Sequence, residues 1–393
     1  MAEALTTAPR VSLSKIALEW SRIGVTGFGG PPAHIALLRK LCVDRYAWIE
    51  AHEFEDAIAA TNLLPGPAST QLAIFCAWRL RGCLGGIVGG VCFIVPGLVV
   101  ILLLAALFLA AHPPLWILGA AAGAGATVPA IALQTGASLI PASWKRTGSS
   151  RAPKVRWIAY FVIGIAAGAT VGAYLVLLLI TLGLIEVAAR RDWRGRPPQV
   201  APSILLPLLV PAVTLTGFAA IAWVALKVGA LSYGGGFVII PLMQHDAVST
   251  YHWMTNTQFL NAVALGQVTP GPVVLTVAVV GFAAAGLAGG LIATVIAFAP
   301  SFLFVLLGGR FFDRLRANVP VQAFLTGAGA TVVGAILGSA VPLGFAISQW
   351  WQVGILAVAL LWLLAFRRGV VPAIVGGAAL GVVAVLLGAP VPH

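Results

Sequence analysis

Charge is what this chain has least of. Only 9% of its 393 residues are Asp, Glu, Lys or Arg, against roughly 25% in soluble domains, so water cannot be the solvent for most of its surface. Acidic residues are scarcer still, eleven against 23 basic ones. No polar connection is long enough to fold separately, the longest covering about residues 142–156. That excludes an appended nucleic-acid-binding or soluble catalytic module, and no nucleic-acid partner is expected. The four cysteines, Cys42, Cys76, Cys83 and Cys92, lack Cys-x-x-Cys spacing and read as small apolar fillers. The six histidines show neither His-x-x-x-His nor Glu-x-x-His spacing, so neither a metal, a cofactor nor a membrane-embedded enzyme is expected. The first residues lack the basic, apolar and cleavage regions of a removable signal peptide.

What the chain has instead is hydrophobic length. Apolar residues make up 60% of it, in runs near 84–110, 115–140, 157–189 (room for two helices), 204–226, 287–308, 321–341, 345–366 and 370–389. Each matches the about 20 residues that cross a bilayer core. Two further runs, near 55–80 and 258–283, carry Pro-Gly-Pro at Pro65-Gly66-Pro67 and Pro270-Gly271-Pro272. The expected fold is an all-α polytopic membrane protein of about ten or more transmembrane helices, lodged in a lipid bilayer, in the inner or plasma membrane.

The two tripeptides belong to a duplication. A spacing of 205 residues maps Gly24 onto Gly229, Gly29-Gly30 onto Gly234-Gly235, Trp48 onto Trp253 and Phe54 onto Phe259. After one deletion, a spacing of 204 maps Gly85-Gly86 onto Gly289-Gly290, Pro96 onto Pro300 and Gly123-Ala-Gly-Ala-Thr-Val128 onto Gly327-Ala-Gly-Ala-Thr-Val332. One register held over a hundred residues marks an internal repeat. The division read from it is an N-terminal repeat over 1–141, a basic connector with a helical hairpin over 142–203, and a C-terminal repeat over 204–393.

The net charge of +12 sits in short connections and reads as a topology signal. Arg79 and Arg81 follow the first Pro-Gly-Pro helix, while the matching Gly281–Gly286 turn is uncharged; Arg310, Arg314 and Arg316 follow the next helix of the second copy, while Leu109–Pro114 has only His112. The cationic ends have swapped, which predicts two inverted-topology repeats. The segment over residues 12–53 fits either a crossing or a re-entrant hairpin.

Four motifs break the helices in register: Gly27-Phe-Gly29-Gly30-Pro-Pro32, Tyr233-Gly234-Gly235-Gly236 and the two Pro-Gly-Pro sites. Glycine and proline bare the backbone, which membrane depth tolerates only against protein or a watery cavity. Most other glycines read as helix-packing positions. Polar residues cluster at the breaks: Thr61, Asn62, Ser69, Thr70 and Gln71 at the first, Gln267, Thr269 and Thr276 at the second. A half-helix N-terminus suits an anion, and two such ends facing one chamber would cradle a small oxyanion. Arg22 and Lys227 match at the 205 spacing and could supply complementary charge, although snorkelling to the membrane surface explains them about as well. Glu53 and Asp56 are candidates for proton coupling, with a helix-capping role as the alternative. His34 could titrate near neutral pH or serve as a neutral hydrogen-bonding group.

At these motifs the chain resembles the chromate ion transporter (CHR) family, specifically its long-chain two-domain type. The resemblance rests on Phe28-Gly-Gly-Pro31 with Ala33-His34-Ile35, Asn62-Leu-Leu-Pro-Gly-Pro67 with Gln71, Tyr233-Gly-Gly-Gly236 with Ile240-Pro241, and Gly266-Gln-Val-Thr-Pro-Gly-Pro272. It implies secondary active chromate efflux from the cytoplasm, driven by membrane potential or proton gradient and giving chromate resistance, with sulfate as competitor or counter-substrate. Ala68 and Gln71 stand where relatives carry polar or acidic side chains, which argues against carboxylate coupling at that spot. Uptake or exchange of sulfate or a related oxyanion at the same site, a passive anion channel and a homodimer remain open on the sequence.

Overall fold

The computed structural model describes residues 11–61, 66–110, 112–170, 175–190, 216–232, 239–308 and 318–391, and the described residues contain helices and no strands. The first half runs α1 (Leu13–Thr26), α2 (Pro31–Arg39, continued by a π-helical turn Lys40–Arg45), α3 (Ala51–Thr61), α4 (Ala68–Phe108), α5 (Leu115–Ala126) and α6 (Val128–Lys145). A hairpin of α7 (Arg151–Thr170) and α8 (Leu175–Ala189) follows. The second half runs α9 (Gly217–Leu231), α10 (Ile239–Gln244, with π-helical turn His245–Thr250), α11 (Asn256–Val268), α12 (Thr276–Gly308, entered through the 3-10 turn Val273–Leu275), α13 (Val319–Phe345), α14 (Trp350–Leu360) and α15 (Val370–Leu386).

The duplicated sequence folds twice in the same way. Each π-helical turn ends on a left-handed residue, Ala47 at φ 47° and its match His252 at φ 52°. Each such residue lies between a stacked pair, Tyr46 on Trp48 and Tyr251 on Trp253, with ring centroids 4.4 and 4.7 Å apart. Among the described residues, four runs are long and apolar enough to cross a membrane: Ala68–Phe108, Leu115–Lys145, Val273–Gly308 and Val319–Phe345.

The first and third of these runs are each two helices rather than one. Backbone angles leave the helical region at Arg81–Gly82 and at the matching Ala285–Gly286. Beyond that point a Cβ on Gly89 would strike the Ala77 side chain, and one on Gly281 the Gly289 carbonyl. Twelve residues of straight helix would separate Gly89 from Ala77 by about 18 Å, so the chain must reverse. The first arm of α4 (residues 68–80) is therefore a half-helix that starts at the Pro-Gly-Pro break.

The second arms of α4 and α12 pack on each other across the halves. Gly86 meets Leu306, Gly90 meets Phe302, and Gly290 meets Leu102. Numbers rise along one arm as they fall along the other, so equivalent helices lie antiparallel about a pseudo-two-fold axis. Small residues make the remaining close contacts, as expected where hydrophobicity cannot drive helices together. Gly119 and Gly123 of α5 lie on Gly377 and Gly381 of α15, while Gly164 and Gly168 of α7 lie on Thr331 and Ala335 of α13. Helix α15 of the second half thus packs on α5 of the first, and α13 packs on the hairpin. The outer surface is apolar, with Leu84, Ile87, Val91, Val95, Val99 and Leu103 forming an exposed stripe along α4, which suits lipid rather than water.

Candidate functional site

The two breaks meet at the centre of this arrangement. Helix α1 stops at Thr26, and Gly29 and Gly30 take φ of 98° and 73° before Pro31 opens α2. Gly66 and Gly271 take φ of 121° and 103° ahead of α4 and α12. These two glycines make a crossed pair of backbone hydrogen bonds: Gly66 N–H donates to the Ser232 carbonyl at 3.1 Å, and Gly271 N–H donates to the Gly27 carbonyl at 3.0 Å. Ser232 and Gly27 are matched positions, as are Gly66 and Gly271. Each Pro-Gly-Pro therefore plugs the glycine break of the other half. Asn62, Pro65, Tyr233, Gly234 and Gly235 lie outside the described residues.

The geometry is symmetric but the chemistry is not. At the first break Ser69, Thr70, Gln71, Ser232 and Ser301 are buried to within 1% of full enclosure. The hydroxyls of Thr70, Ser232 and Ser301 have no hydrogen-bond partner. A methyl group placed on Gly66 would lie 2.9 Å from Ser301 Oγ and would also crowd the Gln71 side-chain nitrogen, so both groups border the same glycine. Pro67 ends the preceding segment, and its carbonyl accepts from the N–H groups of Thr70 and Gln71.

The second break holds Val274, Leu275 and Gly97 where the first has Ser69, Thr70 and Ser301. Its hydroxyls are spent locally, Thr269 donating to the Leu265 carbonyl at 3.0 Å and Thr276 to the Val273 carbonyl at 2.8 Å. The Pro270 carbonyl lies against Gly97, and Pro272 begins the 3-10 turn. Gln267, at the end of α11, keeps a buried side-chain nitrogen without a partner. Buried unpartnered hydroxyls among the described residues thus gather at one break and not at the other. Gly66, Pro67, Ser69, Thr70, Gln71, Gly271 and Pro272 are buried, whereas Phe28 and Gly29 of the first glycine motif are exposed.

Other candidates fall elsewhere. Lys227 Nζ donates to Asp246 Oδ2 at 2.5 Å, and both side chains are largely buried, so its charge is already answered. Arg22 is 62% exposed, 3.6 Å from Glu19. Matched position has not produced matched surroundings, because Leu41 stands where the second copy has Asp246. Glu53 pairs with Arg79 and lies eight residues before the end of α3, about 12 Å of helix. Asp56 is exposed on the same helix. His34 is buried at the first break, between Gly27 and Ser69.

Sequence reasoning missed Ser232 and Ser301 as site residues. Ser301 comes from the opposite half and sits in an apolar helix with no local signal; comparing the copies, where it replaces Gly97, would have found it. A separate cavity of about 570 Å³ lies between the N-terminus of α11 and α5, lined in part by Phe108, Leu118, Thr257, Gln258 and Asn261.

Comparison with known proteins gives a consistent set of relatives. The chain matches the Chromate transporter family over residues 14–187 and 219–382. It is 29% identical over 388 residues to a chromate transport protein of Cupriavidus metallidurans, covering 95% of this chain and 93% of the relative. A chromate transport protein of Pseudomonas aeruginosa is 31% identical over 355 residues, covering 84% of this chain and 80% of the relative. A probable chromate transport protein of Synechococcus elongatus is 27% identical over 345 residues, 86% of each chain. No solved structure matches the chain.

Proposed function

The chain belongs to the chromate transporter family, and from that premise we propose that it exports chromate by alternating access, with the anion held at the first Pro-Gly-Pro break. The observation that carries this reading is three buried hydroxyls without partners, those of Thr70, Ser232 and Ser301: Ser301 Oγ borders Gly66, the Ser232 carbonyl accepts from the Gly66 N–H, and Thr70 lies in the first turn of α4. A buried hydroxyl left unpaired costs about 1–3 kcal/mol. Such a cost is sustained where a ligand supplies the missing partner. A tetrahedral oxyanion is nothing but acceptors, and neutral hydroxyls with a half-helix N-terminus can hold it without burying a second formal charge.

Alternating access follows from the antiparallel halves. Equivalent helices that pack antiparallel give inverted topology when they span a membrane, and the crossed hydrogen bonds at Gly66 and Gly271 tie the two halves together at both breaks. Rocking one half against the other would open one break at a time. An inside-negative potential in the cell membrane drives a dianion outward by about 2.3 kcal/mol per charge per 100 mV, which supports the efflux direction and a resistance role.

Flux through protein reconstituted in vesicles tests the mechanism. Chromate loaded inside is expected to leave faster when an inside-negative potential is imposed, in a saturable manner, with external chromate exchanging against it. Flux that rises linearly with concentration would point instead to a passive channel and sink the alternating-access reading.

A further inference from the structure

One titratable side chain is built into the first break. His34 is wholly buried, with Nε2 2.8 Å from the Gly27 carbonyl oxygen and Nδ1 3.3 Å from Ser69 Oγ, its ring edge-on to Phe93. A carbonyl oxygen can only accept, so Nε2 carries a proton. In the neutral ring Nδ1 is then an acceptor, and Ser69 must give it the one hydroxyl proton it has. Ser69 lies in the first turn of α4, next to Thr70, where an anion at the break would want that same proton.

We propose that His34 sets the anion affinity of the first break, its protonation deciding whether the Ser69 hydroxyl points at the ring or at the ligand. This rests on the reading that the anion binds at that break. In the imidazolium both nitrogens donate. Nδ1–H then donates to Ser69 Oγ, and the hydroxyl proton turns away from the ring and becomes a donor to the anion. The ring's positive charge acts in the same direction. Anion binding is tighter to the protonated form, so affinity rises as pH falls, and by reciprocity anion binding takes up a proton.

The surroundings leave this histidine free to act alone. It meets the Gly27 carbonyl, which also accepts from the Gly271 N–H of the second half, and from α4 it meets Ser69 and Phe93. On its own element Arg39 and Lys40 come five and six residues later. No charged side chain among the described residues acts on it. The switch is also single, because the second copy has Ile239 and Val274 at the positions of His34 and Ser69. Repeat packing alone therefore does not require the pair.

The test is chromate binding to the purified full chain from about pH 8 to about pH 5, for wild type, His34→Gln and Ser69→Ala. Chromate titrates as well, but that contribution is common to all three proteins. The expected result is that wild-type affinity gains on the order of tenfold more across this range than that of either variant. Ser69→Ala keeps the imidazole, its charge and its bond to Gly27, so a diminished pH response there separates the switch from a packing role of the ring. A wild-type pH response in both variants overturns the proposal and leaves the site reading standing. Wild-type protein that binds no chromate at any pH overturns the site reading, and this inference with it.

Discussion

Replacing Thr70 by Val and Ser301 by Ala together is expected to abolish chromate transport while leaving the protein as stable as before, or more so. The two effects have opposite signs because both hydroxyls are buried and have no hydrogen-bond partner in the protein. Removing an unsatisfied buried polar atom relieves a penalty of about 1–3 kcal/mol, and Val is nearly isosteric with Thr. With an anion bound, the same hydroxyls become charge-assisted donors worth about 1.5–3 kcal/mol each. Losing both would weaken chromate binding by a factor of roughly 10²–10⁴, with some departure from additivity between neighbours. Thermal unfolding and equilibrium binding on the same preparation decide the matter. A variant that unfolds earlier yet transports normally would make these hydroxyls structural.

The second large effect contrasts the two equivalent glycines. Gly66→Ala is expected to lower transport by at least about tenfold, and Gly271→Ala by much less. Both residues have left-handed φ, 121° and 103°, so any side chain adds backbone strain of about 1–2 kcal/mol. Only at Gly66 does the added methyl also meet polar groups, pressing on Gln71 and Ser301. At Gly271 its nearest neighbour is Leu275 Cδ1 at 3.4 Å, an ordinary contact. Sequence symmetry would make the two substitutions equal, whereas the observed chemistry makes them unequal. Transport rates normalised to the amount of folded protein in the membrane distinguish the cases.

Much of the architecture was legible in the sequence because its determinants are local. Glycine and proline break helices wherever they stand, so the interruptions at Gly27–Pro32 and at Gly66 and Gly271 fall where the motifs put them. The reversal at Arg81–Gly82 coincides with the gap between the apolar runs ending near residue 80 and starting near 84. The hairpin expected within 157–189 is α7 and α8. Composition marked the chain as a membrane protein, and the motifs at the breaks marked its family.

The chemistry of the site was less legible, because it depends on which half supplies each group. Ser301 reaches Gly66 only through the antiparallel packing of α4 on α12, a contact between residues far apart in sequence. Equal spacing made Arg22 and Lys227 look like partners in one task, but the Asp246 that pairs with Lys227 has no counterpart in the first copy. His34 was visible as a titratable residue beside a glycine motif; its bond to Ser69, which gives protonation a consequence, was not. A duplicated sequence fixes a shared backbone plan, and single substitutions between the copies then decide which break is polar.

Locating bound chromium by its anomalous X-ray scattering in chromate-soaked crystals of the protein tests the central claim most directly. The account predicts one strong peak beside Gly66, with chromate oxygens within hydrogen-bonding distance of Thr70 Oγ1 and Ser301 Oγ. A peak at the Gly271 break, or in the cavity beside Asn261 with the Gly66 cluster still empty, would contradict it.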